Sequence, residues 1–273
     1  MVKANAYGHG DICVAQALQE AGAQHLGVGL IEEGLLLRSS GVTTRLLVFG
    51  IFDTQGAIEI LRHKMIPVIS TWGQLESLKS ALPKIATPEK ASTPPIEIHL
   101  KFDTGMHRLG FKIEEAEKLS DYLAHHKIFR PVGICTHLWQ AEDVGSEHDP
   151  KSPEGHSFTQ LTKFATVLPY FARWNPHIHV FNSAGTLNLI CLKNKHKTQL
   201  SSVWLWDQNV GFRPGLAIYG LAPRTFMTNH MTSHLSLKPV MTLKSHVVCC
   251  HEVKKGDLVS YGGTWRAKKD SIV

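Results

Sequence analysis

A lysine, two arginines, a histidine and a serine stand where short apolar runs give way to glycine-rich or polar turns. Lys3 lies in MVKANAYGHG, Arg108 in FDTGMHRLGF, His137 at the end of PVGICTH, Ser183 directly after HIHVFN, and Arg213 after WDQNVGF. Asp103 is the one carboxylate among them, so the carboxylate pair of glycoside hydrolysis is missing. Two stretches point to an anion. NSAGTL (182–187) opens a helix, where free N–H groups and the helix dipole favour negative charge and where Ser183 doubles as a cap. FRPGLAIYG (212–220) adds the amides of Gly215 and Leu216. A phosphate held beside a strand-end lysine fits a cofactor carrying both a phosphate and an aldehyde, which is pyridoxal phosphate linked to the Lys3 amine. Each residue also has a plainer reading: Lys3 as an exposed lysine, Arg108 as a salt-bridge partner of Asp103, His137 as a core histidine, Tyr261 as a strand-packing tyrosine. Their joint placement carries the functional reading.

Such residues need a scaffold that brings strand ends to one rim. Helical periodicity covers 10–24, 31–41, 53–64, 71–82, 112–126, 157–172 and 183–192, with Asp53 and Thr71 as caps and Gly41 as a stop. Strand patterns fill the intervals at 25–30, 45–50, 66–70, 96–102, 131–137, 177–182 and 206–212. VKANA (2–6) supplies the end of a further strand, with Lys3 at its exit. Strict alternation implies parallel strands with helical crossovers. Eight strands over roughly 230 residues predict a (β/α)8 TIM-type barrel, whose active site lies at the C-terminal strand ends. The rival, a doubly wound sheet, would carry a GxGxxG turn after its first strand, and none is present. The barrel is expected over 1–233. From 234 to 273 the pattern turns to period two, with Gly-Asp and Gly-Gly turns, which predicts the start of a C-terminal all-β domain. Two residues ahead of Lys3 and a barely begun β domain predict a fragment at both ends.

The chain has 273 residues, 43% hydrophobic and 19% charged, a balance that excludes disordered and fibrous classes. Its net charge of +6 does not cluster; the densest run, KNKHK at 193–197, reads as a solvated face, so no nucleic-acid partner is expected. The longest apolar run, LLVFGIF at 46–52, is far short of the ~20 residues of a membrane span. MVKANAYGHG lacks the apolar core of a secretory signal. Five scattered cysteines without a CxxC predict a reduced, cytoplasmic setting. His177 and His179 share one face of a strand, but no third ligand is near, and no metal is expected.

VKANAYGHG closely resembles the pyridoxal-phosphate lysine motif of bacterial alanine racemases. The resemblance continues through LKFDTGMHRLGF, CTHLWQAED, FNSAGTL, FRPGLAIYGLAP and GDLVSYGGTWRA, in the family's order and over essentially the whole chain. It implies a barrel with a C-terminal β domain, a head-to-tail homodimer and racemisation of alanine, supplying D-alanine for peptidoglycan. By motif, Lys3 would hold pyridoxal phosphate and serve as one base. Tyr7, Ser183, Gly215 and Leu216 would bind the phosphate. Arg213 would contact the pyridine nitrogen, with His137 supporting Arg213. Arg108 would hold the substrate carboxylate and orient the catalytic tyrosine, and Lys101 matches a position that is often carbamylated. Tyr261, in VSYGGTW, would be the second base, completing the partner subunit's site. A racemase needs two bases because the proton leaves and returns on opposite faces. A tyrosine's ordinary pKa near ~10 must fall for it to act as a base at neutral pH, which a nearby arginine promotes.

The chain departs from the family at His107, which is bulkier than the usual residue, and at Leu216, where isoleucine is common. Family members also extend further at both ends. Three other readings compete: a serine or broad-specificity racemase domain of a larger protein, a non-catalytic pyridoxal-phosphate-binding barrel, and an inactive fragment. The non-catalytic barrels lack a C-terminal β domain, so Tyr261 argues against them.

Overall fold

The computed structural model describes residues 1–85, 94–142, 156–193, 210–222 and 236–273. Two compact units emerge, Met1–Val240 and Met241–Val273.

In the first unit seven parallel strands follow one another in chain order: β1 (His25–Val28), β2 (Arg45–Val48), β3 (Ile66–Ile69), β4 (Ile96–Lys101), β5 (Phe129–Cys135), β6 (His177–Phe181) and β7 (Gly211–Phe212). The expected strand at 206–212 lies partly outside the described residues. Helices separate the strands: α2 (Asp11–Glu20), α3 (Ile31–Ser39), α4 (Thr54–Arg62), α5 (Trp72–Ile85), α6 (Ala116–His125), α7 (His156–Phe171) and α8 (Ser183–Lys193). The punctuation read from the sequence acts as expected. Asp53 caps α4 by accepting from the Gly56 amide at 2.9 Å, Thr71 Oγ1 accepts from Gln74 N at 3.4 Å in the first turn of α5, and Gly41, at φ +83°, stops the chain after α3.

The expected first strand does not run to Ala6. Met1 and Val2 occupy its place between the edge strands: the Met1 nitrogen donates to Pro214 O at 3.0 Å, just past β7, and Val2 N donates to Gly27 O of β1 at 2.9 Å. The ring closes through these two residues. Lys3–Gly8, labelled α1, is then a left-handed turn, with φ of 51–55° at Ala4, Asn5, Ala6 and Tyr7.

Alternation along the strands sorts side chains onto two faces. Leu26, Val28, Leu46, Val48, Ile69, Ile98 and Leu100 pack in the large cluster with helix residues such as Leu37, Ile60, Leu75 and Leu119. Each such buried side chain contributes about 1.5–3 kcal/mol. The opposite face holds a smaller cluster of Leu47, Ile66, Val68, Cys135 and Phe49. On that face β4 places His99 and Lys101, and β6 places His177 and His179.

In the second unit, β8 (Glu252–Val253) pairs antiparallel with β11 (Ser271–Ile272), and β9 (Leu258–Val259) pairs with β10 (Trp265–Arg266). Residues 236–251 carry no strand, contrary to the period-two reading of that stretch. A period-two pattern alone lacks the backbone partner that a strand requires.

Candidate active site

The left-handed turn aims Lys3. Such a conformation is costly for non-glycine residues, and hydrogen bonds on all sides hold it. Ala6 N donates to Val2 O at 3.0 Å and Gly10 N to Asn5 O at 3.1 Å. Asn5 Oδ1 accepts from Asp11 N at 3.0 Å, tying the turn to α2. Glu33 does the most: Oε1 accepts from Ala4 N at 2.6 Å, while Oε2 accepts from Gly29 N at 2.7 Å and Leu30 N at 3.0 Å. One carboxylate therefore fixes the lysine turn to the loop after β1. The Lys3 ammonium stands 5.9 Å from the centre of the Tyr7 ring. Tyr219 closes the other side, stacking on His9 at 4.4 Å and donating from its hydroxyl to Met1 O at 3.0 Å. Burial raises the Tyr7 phenol, and burial together with Tyr7 pushes Tyr219 up to about 12.

The residues expected to cradle an anion come together around Ser183. Its Oγ accepts from Gly215 N at 2.9 Å and from Ala217 N at 3.2 Å. Ser183 does not cap α8; Asn182 does, its Oδ1 accepting from Gly185 N at 3.1 Å. That division leaves the Ser183 hydroxyl for the loop after β7. A β-carbon on Gly215 would lie 2.3 Å from the Tyr7 hydroxyl, so these two loops touch only because residue 215 has no side chain. Tyr7, Ser183 and Gly215 thus converge, and Leu216, 43% exposed, opens the short 3-10 turn that follows.

Arg213 is held by more partners than the sequence predicted. Its Nη1 meets His179 Nδ1 at 2.7 Å and also donates to His179 O; its Nη2 donates to Thr136 O at 2.6 Å and Val180 O at 3.0 Å. His137 Nδ1 is more distant, at 3.5 Å. The expected support from His137 is therefore secondary, and His179 is the main imidazole partner. Burial lowers the Arg213 guanidinium, but an arginine starts high enough to stay charged. Burial, with Arg213 next, pulls the His137 imidazole down to about 3, so it is neutral here.

Lys101 is buried at the end of β4, its ammonium bonded to Leu109 O. Burial lowers it most, with Arg108 and Arg213 adding to the effect. The following loop returns on itself, Asp103 N to Phe111 O and Phe111 N to Lys101 O both at 2.9 Å. Arg108 sits exposed at its tip. The plainer reading of an Arg108–Asp103 bridge is not realised: Asp103 instead accepts from Gly105 N at 2.9 Å and His107 N at 3.0 Å, with the His107 ring 3.4 Å away. Gln160 secures the neighbouring loop, accepting from Trp139 N at 3.0 Å and donating to His137 O and Thr104 Oγ1 at 3.1 Å each. Tyr261 belongs to the second unit, in a tight turn, and is 99% exposed. Among the described residues no group of three or more His, Cys, Asp or Glu side chains is arranged to hold a metal.

The family model for the alanine racemase N-terminal domain matches residues 1–223, and that for the C-terminal domain matches residues 240–273. The chain belongs to the alanine racemase family. An alanine racemase of Lacticaseibacillus paracasei is 35% identical over 279 residues, covering 100% of this chain and 65% of the relative. One of Halalkalibacterium halodurans is 31% identical over 270 residues, covering 97% of this chain and 61% of the relative. The chain thus spans 61–65% of the length of these curated relatives. Among solved structures, alanine racemase from E. faecalis superposes with a TM-score of 0.74 at 30% identity, covering 99% of this chain and 65% of that one. The Bartonella henselae alanine racemase, described with covalently bound pyridoxal phosphate, gives 0.73 at 24% identity, with 99% and 65% covered. That likeness is one of fold.

The family motifs do not account for every residue holding this site. Glu33, His99 and Gln160 lie outside the roles those motifs imply, and His179 stands in the sequence only as a partner of His177 on one strand face. His179 carried a signal, its alternation with His177 on a strand that ends at the rim. Glu33 carried a fainter one, an acid three residues into a helix, where it reaches back to free amides.

Proposed function

We propose that this chain is the barrel-bearing part of a cytoplasmic racemase that interconverts L-alanine and D-alanine with pyridoxal phosphate, supplying D-alanine for peptidoglycan. The observation that carries the reading is the convergence of Lys3 and Tyr7 with the Ser183–Gly215–Ala217 cradle, two residues beyond the anchored Arg213. The residues present fit the cofactor. The Ser183 hydroxyl and the loop amides around it suit a phosphate, Gly215 leaves room under Tyr7, Lys3 supplies the amine, and Arg213 supplies a fixed donor. Among the described residues no helix is long and apolar enough to cross a membrane.

When bound, the cofactor supplies the electron sink that makes the substrate's α-proton acidic. Tyr7, Ser183, Gly215 and Leu216 would hold its phosphate. Lys3 would hold it covalently and would move the proton on one face. Tyr261 of a second copy would move it on the other, in a homodimer. Arg213 would serve the ring nitrogen as a donor that keeps its own proton, which would limit side reactions such as transamination. His137, kept neutral, backs Arg213. Arg108 holds the substrate carboxylate. Lys101, drawn toward its neutral amine, is the carbamylation site: a nitrogen–carbon bond forms to carbon dioxide, a proton leaves to solvent, and the product is an anion beside Arg108.

The test is absorbance of the purified chain with pyridoxal phosphate before and after borohydride, beside Lys3→Ala, followed by a D/L-alanine assay. A reducible visible band that is absent in Lys3→Ala, with racemisation, is expected. A band that survives Lys3→Ala overturns the assignment of Lys3.

A further inference from the structure

We propose that His99 is a positioning residue that, through His179, sets the hydrogen-bond polarity around Arg213. The functional consequence rests on the cofactor reading above; the geometry does not.

A guanidinium has donors only. Where Arg213 Nη1 meets His179 Nδ1 at 2.7 Å, the imidazole nitrogen must therefore accept. A neutral imidazole then carries its proton on Nε2. That nitrogen lies 2.7 Å from His99 Nδ1, so His179 donates and His99 accepts. The His99 proton is in turn placed on its own Nε2. The polarity runs Arg213 to His179 to His99, and each link dictates the next. Carbonyls are the other close partners of Arg213, at Thr136, Val180 and His179, and these cannot change polarity. Its imidazole partners can, and His179 is the nearer one.

The surroundings keep the relay neutral. His99 is 1% and His179 3% exposed. His25, His177, Arg45 and Arg213 all oppose a proton on His99; Glu97 acts on His25 in the other sense. Space is made for the pair by backbone: a β-carbon on Gly133 of β5 would lie 2.1 Å from His99 Nδ1. A charged His179 would present N–H to Arg213 and push the guanidinium from its seat at the end of β7. His99, by accepting, holds His179 in the tautomer that accepts from Arg213, whose remaining donor, Nε–H, none of these partners takes.

The test labels histidine nitrogens with 15N in the full chain without cofactor and reads tautomers by NMR, in wild type, His99→Gln and His99→Phe. Expected for the wild type are neutral Nε2–H patterns for both His179 and His99, constant from about pH 8 to about pH 5. His99→Gln, whose side-chain oxygen still accepts, keeps the His179 pattern. His99→Phe loses it. In the cofactor-loaded chain His99→Phe shifts the visible band and lowers kcat ~10-fold with KM nearly unchanged, and His99→Gln restores both. An Nδ1–H or imidazolium His179 in the wild type at neutral pH, or an unaltered His179 in His99→Phe, overturns the proposal. Should His99→Phe fail to fold, the wild-type pattern alone decides. Absence of cofactor uptake by the wild type would count against the functional reading and leave the tautomer result standing.

Discussion

A β-carbon on residue 215 would stand 2.3 Å from the Tyr7 hydroxyl oxygen, so the approach of Tyr7 to the loop after β7 requires a glycine there. Gly215→Ala is therefore expected to displace the tyrosine, weakening pyridoxal-phosphate uptake by ~10-fold or more and costing about 1–3 kcal/mol. Cofactor titration and urea denaturation measure the two effects. Removing the hydroxyl with Tyr7→Phe should reduce the stability cost of Gly215→Ala; an equal cost in both backgrounds would show that the contact is not the cause.

Glu33 accepts three backbone N–H groups, from Ala4, Gly29 and Leu30. Glu33→Ala leaves all three without their acceptor, and a loss of about 2–3 kcal/mol is expected. Glu33→Gln keeps one acceptor oxygen and should cost less. Since Ala4 adjoins Lys3, cofactor uptake should fall in the same order. Equal stability of the two variants would disprove the role assigned to the carboxylate.

Acid should destabilise the barrel before its carboxylates titrate. His99 and His137 are both held at about 3, chiefly by burial, against an ordinary 6.5. The unfolded chain therefore binds more protons than the folded one below about 6.5, and stability falls as pH drops from there toward about 3. His99 alone contributes a slope of at most about 1.4 kcal/mol per pH unit in that window. His179, lowered in the same direction, adds to it. Denaturation midpoints at successive pH values measure the slope, and His99→Gln should flatten it.

Gly133 and His99 share one volume, with a β-carbon on residue 133 only 2.1 Å from His99 Nδ1. Gly133→Ala is expected to cost about 1–3 kcal/mol by overpacking. In a His99→Ala background the cost should shrink, giving a coupling of about 0.5–3 kcal/mol in a double-mutant cycle. Additive losses would refute the steric account.

Gln160 serves Trp139, His137 and Thr104 with one buried amide. Gln160→Leu keeps the volume but takes the partner from Trp139 N and His137 O, while Thr104 keeps its bond to Thr136 Oγ1 at 2.8 Å, and about 2 kcal/mol of stability should be lost. The His137 loop should also exchange its amide hydrogens faster, which hydrogen exchange reads directly.

The helix and strand alternation was legible because each element announces itself locally, through Asp53, Thr71 and Gly41 at helix ends and through β-branched runs between them. Lys3, Ser183, Gly215 and Arg213 were legible as a set because strand ends share a rim, whereas Tyr7 was legible only through the motif it shares with the family. The turn at Lys3–Gly8 was not: in KANAYG only Asn5 and Gly8 adopt left-handed backbone readily, and contacts from Glu33 and Tyr219, distant in sequence, help to impose it on the rest. The leading role of His179 over His137 was hidden for a related reason. A one-dimensional pattern shows that both imidazoles are near a strand end, but not which one lies 2.7 Å from the guanidinium. Arg108 and Asp103 look like a pair in sequence, yet the loop spends the carboxylate on its own amides.

The left-handed turn also has a consequence for how the molecule is made. Four successive non-glycine residues in that conformation cost about 1–2 kcal/mol each, a sum comparable to the entire stability of many domains. No short piece of chain can sustain it. Its supports include Tyr219, more than two hundred residues away, and the Met1–Pro214 contact that joins the two edge strands. The lysine turn thus leans on the far end of the barrel, and binding competence depends on contacts that join the first and last strands.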